Sequence, residues 1–150
     1  MEKLFEYLKL NNLTISSCES FTGGYFSNQI TNISNASNYF KGAFVCYTDE
    51  FKSNILGIDI EIIKKYGAVS IETLELMLDK TQEKLKTEVV FAFTGFATPL
   101  NENPLTGLSY VGFKIKEKIY TYEFKIKEDI TREEYKQKSC EFLINKFLNL

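Results

Sequence analysis

The 150-residue sequence contains no histidine, only three cysteines and a single arginine. Without histidine, neither a Ser–His–Asp triad nor a Cys–His pair can form, and most zinc sites and haem ligation are excluded with them. The three cysteines, Cys18, Cys46 and Cys140, are odd in number and widely spaced in the sequence. This usage is typical of reduced, buried thiols in a cytoplasmic protein, so we expect no disulfide framework and no bound metal.

Positive charge is not in excess either, since 18 basic and 20 acidic residues leave a formal net charge of -2. A duplex-binding protein needs clustered Lys and Arg to neutralise phosphates, so we expect no nucleic-acid partner. Residues 20–40 carry no charge, but they are rich in Ser, Asn and Thr and do not resemble a membrane span. The first residues are charged and amphipathic, unlike a signal peptide. The sequence therefore predicts a cytoplasmic protein with no membrane partner.

Apolar side chains, in contrast, are plentiful: 44% of the residues are hydrophobic, and they include 13 Phe and 9 Tyr. Apolar area on this scale offsets the conformational entropy that folding removes, which excludes intrinsic disorder. A chain of this length can bury one full core. Because no repeat or linker composition interrupts the sequence, we predict one domain over residues 1–150.

Helical and strand patterns alternate along the chain. The predicted helices are one that ends near Asn11, one from Thr22 towards Asn32, one capped by Thr48 or Asp49, one over 60–66 capped by Asp59, one that starts at Ser70 and one over 131–147. The predicted strands are 13–18, 43–47, 89–93 and a hairpin of 108–115 with 119–126. This order predicts an α/β fold, a three-layer α/β/α sandwich on a mixed, mostly parallel sheet of five to six strands.

The first candidate site is the segment E-S-F-T-G-G, residues 19–24, at a predicted strand-to-helix junction. Its two glycines, Gly23 and Gly24, let the backbone approach a ligand closely, and a helix start offers free N–H donors to an anion. An ordinary capped helix with glycine in its first turn is the alternative interpretation.

The second candidate site combines Ser37, Tyr47 and Lys52. An enzyme without histidine can still activate a serine if a neutral lysine accepts the hydroxyl proton. The pKa of that lysine must then fall well below its free value of about 10, and both burial and the positive end of a helix act in that direction. Lys52 lies in the first turn of its predicted helix. A solvated surface lysine and a core tyrosine are the alternatives that the residues leave open.

Two further candidates follow later in the chain. Thr94 and Gly95 lie in the segment F-T-G-F-A-T-P, residues 93–99, where a predicted buried strand enters a loop. Loops at the carboxyl ends of sheet strands bind ligands in α/β proteins, although a plain turn is equally compatible with this composition. Arg132 could bind a phosphate or carboxylate through two parallel hydrogen bonds, or could pair with Glu133 or Asp129 at a helix start.

These candidate segments, taken in the order in which they occur along the chain, resemble the motifs of the CinA C-terminal domain family. Residues 19–24 are similar to the family's E-S-C-T-G-G, and residues 45–52 (V-C-Y-T-D-E-F-K) to its V-T-Y-S-N-E-A-K. Residues 56–58, 67–70 and 93–99 are similar to L-G-V, G-A-V-S and V-T-G-I-A-G-P, and Arg132 lies where the family has a G-D-R arginine. The resemblance runs from residue 13 to about residue 145.

The family includes stand-alone amidohydrolases that deamidate nicotinamide mononucleotide to nicotinic acid mononucleotide and ammonia, in pyridine nucleotide recycling. The resemblance implies a Ser–Lys mechanism without metal or cofactor, in which Ser37 is the nucleophile, Lys52 its general base and Tyr47 their hydrogen-bonding partner. It also implies that Arg132 holds the phosphate of the nucleotide. The residues implied to line the substrate pocket are Ser20, Thr22, Gly23, Gly24, Thr94 and Gly95.

The sequence also departs from the family pattern. Phe21 replaces the signature cysteine, and the loop over 100–107 lacks most of the family's glycines and its lysine. A non-catalytic nucleotide-binding or regulatory CinA-like protein is therefore the alternative function. An RNA-binding module, suggested only by fold analogy, is disfavoured by the acidic balance. A homodimer that completes loops of the site is compatible with so small a domain.

Overall fold

The computed structural model describes all of residues 1–150 and contains one five-stranded sheet with the order β2-β1-β3-β4-β5. The strands are β1 (Ile15–Glu19), β2 (Phe40–Val45), β3 (Val89–Gly95), β4 (Leu108–Ile115) and β5 (Lys118–Lys125). β1 is parallel to β2 and β3, whereas β4 is antiparallel to both of its neighbours, β3 and β5. The mixed α/β fold is as predicted, but "mostly parallel" is imprecise because the hairpin makes two of the four strand pairings antiparallel.

Six helices cover the two faces of the sheet. They are α1 (Glu2–Asn11), α2 (Tyr25–Thr31), α3 (Asp49–Asn54), α4 (Ile60–Tyr66), α5 (Ile71–Leu85) and α6 (Arg132–Leu148). Apolar residues of α1, α2 and α6 share one core cluster with Phe91 and Phe93, and those of α4 and α5 share another with Val90 and Ala92. Because side chains alternate along a strand, β3 is buried on both faces and separates the two cores. None of the six helices has the length and apolar character that a membrane crossing needs.

Four helix starts lie where the sequence places them, because polar side chains cap them. The Thr48 hydroxyl accepts a hydrogen bond from the Phe51 N–H, Asp59 accepts from Glu61 and Ser70 from Thr73. Thr131 and Glu134 form a capping box at the start of α6. These caps satisfy N–H groups that have no partner inside the helix.

Two predicted boundaries are wrong. The second helix begins at Tyr25 rather than after Thr22, because Gly23 and Gly24 have φ values of 59° and 95°, in the left-handed region that a right-handed helix does not use. The second strand covers Phe40–Val45 rather than 43–47, because it joins the sheet at Phe40 and the cap of α3 follows soon after Val45.

The three parallel strands end at one edge of the sheet. Ser20 follows β1, residues 46–52 follow β2, and Thr94 lies at the end of β3. The buried Glu19 fixes this edge, since its carboxylate accepts hydrogen bonds from the N–H groups of Phe26 and Ser27 at 3.1 and 2.9 Å. The end of β1 is thereby tied to α2, and the carboxyl edge is positioned to build a site.

Candidate active site

A cavity of about 220 Å³ lies at the carboxyl edge of the parallel strands. It is lined by Ser20, Phe21, Tyr47, Asp49, Lys52, Ala68, Val69, Thr94, Gly95, Phe96 and Arg132. Three larger surface grooves, of about 540, 390 and 290 Å³, contain none of the sequence-predicted site residues. The cavity therefore brings together parts of all four candidate segments.

Lys52 is the buried cation of this cavity. It lies on α3, only 1% of its surface is exposed, and its ammonium Nζ donates to the Ser20 Oγ at 3.3 Å. Its nearest carboxylate oxygen, Oδ1 of Asp49, lies 3.9 Å away. Burial lowers the pKa of Lys52, and the Asp49 carboxylate partly opposes this. The solvated surface lysine is excluded, and the amine is placed to exchange a proton with the Ser20 hydroxyl.

Two buried thiols are packed beside Lys52. Cys18 on β1 and Cys46 after β2 are far apart in the sequence, yet the Cys18 thiol donates to the Cys46 sulfur at 3.6 Å. Burial raises the pKa of Cys18 well above its usual value, whereas the hydrogen bond from Cys18 and the positive charge of Lys52 lower that of Cys46. All three cysteines of the chain are buried and free.

Arg132 and Tyr47 form the opposite wall. The guanidinium donates long hydrogen bonds to the Tyr47 hydroxyl at 3.4 Å and to the carbonyls of Ala97 and Thr98 at 3.5 and 3.4 Å. No ion pair of the chain includes Arg132, so the alternative pairing with Glu133 or Asp129 does not form. Tyr47 is 59% exposed, which excludes the core tyrosine. An arginine without an acidic partner is free to bind an anion.

Thr94 and Gly95 shape the floor. The Thr94 hydroxyl is buried and donates to the Ala68 carbonyl at 2.7 Å, so it holds the 67–70 loop against the end of β3. A Cβ added at Gly95 would lie 2.1 Å from the Cβ of Ser109, so only glycine permits the observed approach of β3 and β4. Both residues line the cavity, and their contacts with Ala68 and Ser109 hold the surrounding segments in place.

The sequence profile of the CinA C-terminal domain matches residues 1–150. The chain belongs to the CinA C-terminal domain family. Proteins named putative competence-damage inducible protein, from Bacillus cereus and Bacillus thuringiensis (strain Al Hakam), are each 33% identical to it over 93% and 94% of this chain. The match covers 34% of each of them, so the chain spans about a third of the length of these curated relatives.

Solved structures of CinA-like proteins have the same fold. The competence or damage-inducible protein of Enterobacter asburiae is 23% identical, with a TM-score of 0.90 over 99% of this chain and 93% of that one. The protein CihA of Agrobacterium tumefaciens is 24% identical, with a TM-score of 0.90 over 99% and 91%. At this level of identity the likeness concerns the fold.

This CinA domain does not bring Ser37 to the cavity. Ser37 lies in a single 3-10 turn (Ala36–Asn38) before β2, where it is exposed and its carbonyl accepts from Lys41 Nζ at 3.1 Å. Lys52 follows the same strand, and a six-residue strand spans about 20 Å at roughly 3.3 Å per residue. A Ser37–Lys52 pair within one chain is therefore wrong, because an extended strand separates the two side chains.

Three further residues that the family resemblance implied for the substrate pocket do not line the cavity. Only Ser20 and Phe21 of the 19–24 segment line the cavity, and Thr22, Gly23 and Gly24 do not. The Thr22 hydroxyl is buried without a hydrogen-bond partner. The two glycines instead provide the left-handed turn that leads from β1 into α2.

Five lining residues of this CinA domain were missed as site residues in the sequence. They are Phe21, Asp49, Ala68, Val69 and Phe96. Asp49 lies inside the 45–52 segment, and Ala68 and Val69 inside G-A-V-S, so the segments themselves carried the signal. Which side chain of a segment faces the cavity depends on where the helix or loop begins.

Proposed function

We propose that this CinA-family chain is an amidohydrolase that deamidates nicotinamide mononucleotide, or a close relative, to the corresponding acid and ammonia. The observation that carries the proposal is the Lys52 amine, buried in the cavity and within 3.3 Å of a serine hydroxyl. Desolvation favours the neutral amine, which is the form that can act as a general base.

The charged and aromatic walls suit a pyridine nucleotide. Arg132 has no acidic partner, so its guanidinium can hold a phosphate through two parallel hydrogen bonds. Phe96 is partly exposed on the cavity wall and offers apolar surface to a ring. The positive charge of the pyridinium draws electrons from the carboxamide and makes its carbon more electrophilic.

The reaction requires one proton acceptor that later returns the proton. The neutral Lys52 amine takes the hydroxyl proton, and the serine oxygen forms a bond to the carboxamide carbon. The resulting ammonium gives its proton to the departing nitrogen, so ammonia leaves and an acyl-enzyme remains. Lys52 then takes a proton from water, the hydroxide cleaves the ester, and the serine recovers its proton.

Two serines are candidates for the nucleophile. In a single chain the hydroxyl in contact with Lys52 is that of Ser20. Ser37, the nucleophile that the family resemblance implies, can reach Lys52 only from a second chain. β2 is an edge strand, and antiparallel pairing of two copies of β2 would place the amino end of one, with Ser37, beside the carboxyl end of the other, which leads to Lys52.

Ammonia release from purified protein and nicotinamide mononucleotide tests the activity. We expect turnover by the wild type and a loss of 100-fold or more, on the order that general bases contribute, in Lys52→Met. Calorimetric binding of the nucleotide without any ammonia release would instead support the non-catalytic nucleotide-binding alternative.

The serine variants identify the nucleophile. Ser20→Ala and Ser37→Ala are compared with Ser34→Ala, a serine outside the cavity, as the matched control. Mixing inactive Ser37→Ala with inactive Lys52→Met restores activity only if the two groups come from different chains. An active Ser37→Ala together with an inactive Ser20→Ala would assign the nucleophile to the same chain as Lys52.

A further inference from the structure

Asp49 is the only acidic residue that lines the candidate active site. Its side chain is half exposed, and its Oδ1 lies 3.9 Å from Lys52 Nζ, beyond hydrogen-bonding distance. It makes no hydrogen bond in the structure, whereas the other two charged residues of the cavity, Lys52 and Arg132, do. The carboxylate therefore has its lone pairs available to a ligand.

Helix capping does not explain this aspartate. α3 is already capped by the Thr48 hydroxyl, which accepts from the Phe51 N–H at 3.1 Å. Glu50 supplies a second acidic side chain to the same first turn, where negative charge is favourable, but it does not line the cavity. Asp49 and Glu50 are thus neighbours of equal charge, of which only Asp49 lines the cavity and lies beside Lys52.

The charges of the cavity complement those of a zwitterionic nucleotide. Arg132 presents positive charge at one wall, and Asp49 presents negative charge beside the buried Lys52 amine, where the carboxamide must lie. A ligand with an anionic phosphate and a cationic ring compensates both groups. A ligand with a neutral ring would remove water from the Asp49 carboxylate without replacing it by an opposite charge, which is unfavourable.

We propose that Asp49 is a specificity-determining residue that selects substrates whose ring carries a positive charge next to the carboxamide. This inference rests on the proposed function, because it assigns the cation to the ring that bears the scissile amide. Glu50, which carries the same charge in the same helical turn but does not line the cavity, is the matched control position.

The test compares nicotinamide mononucleotide with its dihydronicotinamide analogue, which keeps the phosphate and carboxamide but has a neutral ring. In Asp49→Asn we expect kcat/KM for the cationic compound to fall about tenfold or more, because the attraction between opposite charges about 4 Å apart at a half-exposed site lies between its value in bulk water and its value near a protein surface. For the neutral analogue kcat/KM should be unchanged or higher. Glu50→Gln should leave both values at the wild-type level.

A pH profile separates selectivity from a structural effect. Lys52 is faced by Asp49 on its own helix, by Cys18 and Cys46 from the strand ends, and by the other cavity groups Tyr47 and Arg132. Removing the Asp49 charge takes away an interaction that raises the pKa of Lys52. The rise of activity with pH should therefore move to lower pH in Asp49→Asn and stay in place in Glu50→Gln.

Equilibrium binding keeps this inference distinct from the proposed reaction. If the wild type hydrolyses neither compound, the proposed function fails, and calorimetry on wild type and Asp49→Asn still measures the preference for the cationic ring. A preference that disappears in Asp49→Asn supports the inference. Equal binding of the two compounds by the wild type, no binding of either, or the same loss in Glu50→Gln overturns it.

Discussion

At the scale of single residues, Lys52 shows a conflict between stability and function. A lysine amine is strongly hydrated, yet this one is buried beside two thiols and a serine. Burial disfavours the charged form, so the folded chain binds this proton less tightly than the unfolded chain does. Such a group reduces stability at neutral pH, and a functional role is the usual reason for retaining it.

Replacing the amine should therefore stabilise the fold. We expect Lys52→Met to unfold at a higher temperature than wild type at pH 7, because methionine fills similar space without a buried charge. Folding lowers the pKa of Lys52, so between this lowered pKa and the ordinary lysine pKa the unfolded state binds more protons than the folded state does. Over that pH window, wild-type stability rises with pH relative to the variant. The difference in melting temperature should shrink towards pH 10.

Thermal unfolding of both proteins at pH 7 and pH 10 measures this effect. Lys84→Met, at an exposed position of α5, is the control and should show no comparable gain. A Lys52→Met variant that is less stable than wild type at pH 7 would contradict the argument.

At the scale of elements, the close packing of β3 against β4 forms the floor of the site. Gly95 at the end of β3 has no room for a side chain, since a Cβ would lie 2.1 Å from Ser109 Cβ and 2.7 Å from Ser109 Cα. The Ser109 hydroxyl accepts a hydrogen bond from the buried Tyr135 of α6 at 2.9 Å, and burial raises the pKa of that tyrosine to about 12. A displacement of β4 would thus be passed on to α6, which carries Arg132.

Gly95→Ala should destabilise the fold by about 1–3 kcal/mol, the range that overpacking a core commonly costs. The same variant should also weaken nucleotide binding, because the wall that carries Arg132 moves with α6. Urea unfolding and calorimetric binding measure the two effects. An unchanged unfolding midpoint would show that β3 and β4 can separate without cost.

At the scale of the whole molecule, β2 is one of the two edge strands of the sheet, and it is the edge that the proposed pairing of two copies would use. Val45 on this strand is 43% exposed. Lys41, whose charge would oppose pairing, is folded back onto the carbonyls of Ser37 and Asn38 at 3.1 and 2.9 Å. Edge strands with accessible backbone groups pair readily with a second chain.

Val45→Lys is therefore expected to shift the chain towards the monomer in sedimentation equilibrium, because a lysine on an edge strand opposes its pairing with a second chain. If Ser37 of a second chain is the nucleophile, activity should fall in parallel. Leu10→Lys, at an 81% exposed position of α1, is the control and should change neither property. A Val45→Lys protein with unchanged association would exclude this edge as the contact.

The sequence by itself determined the order of the elements, the starts of α3 to α6, the fold class and the segments that carry the site, because local spacing and capping chemistry specify them. It did not determine which side chains meet. The tertiary structure placed Ser20 rather than Ser37 against Lys52 and added Asp49 to the cavity. It also brought the free thiols of Cys18 and Cys46 into hydrogen-bonding contact. The physical reason is that these contacts depend on which ends of neighbouring strands lie at the same edge of the sheet. Ser37 precedes β2 and Lys52 follows it, so the length of this strand places the two residues at opposite edges of the sheet.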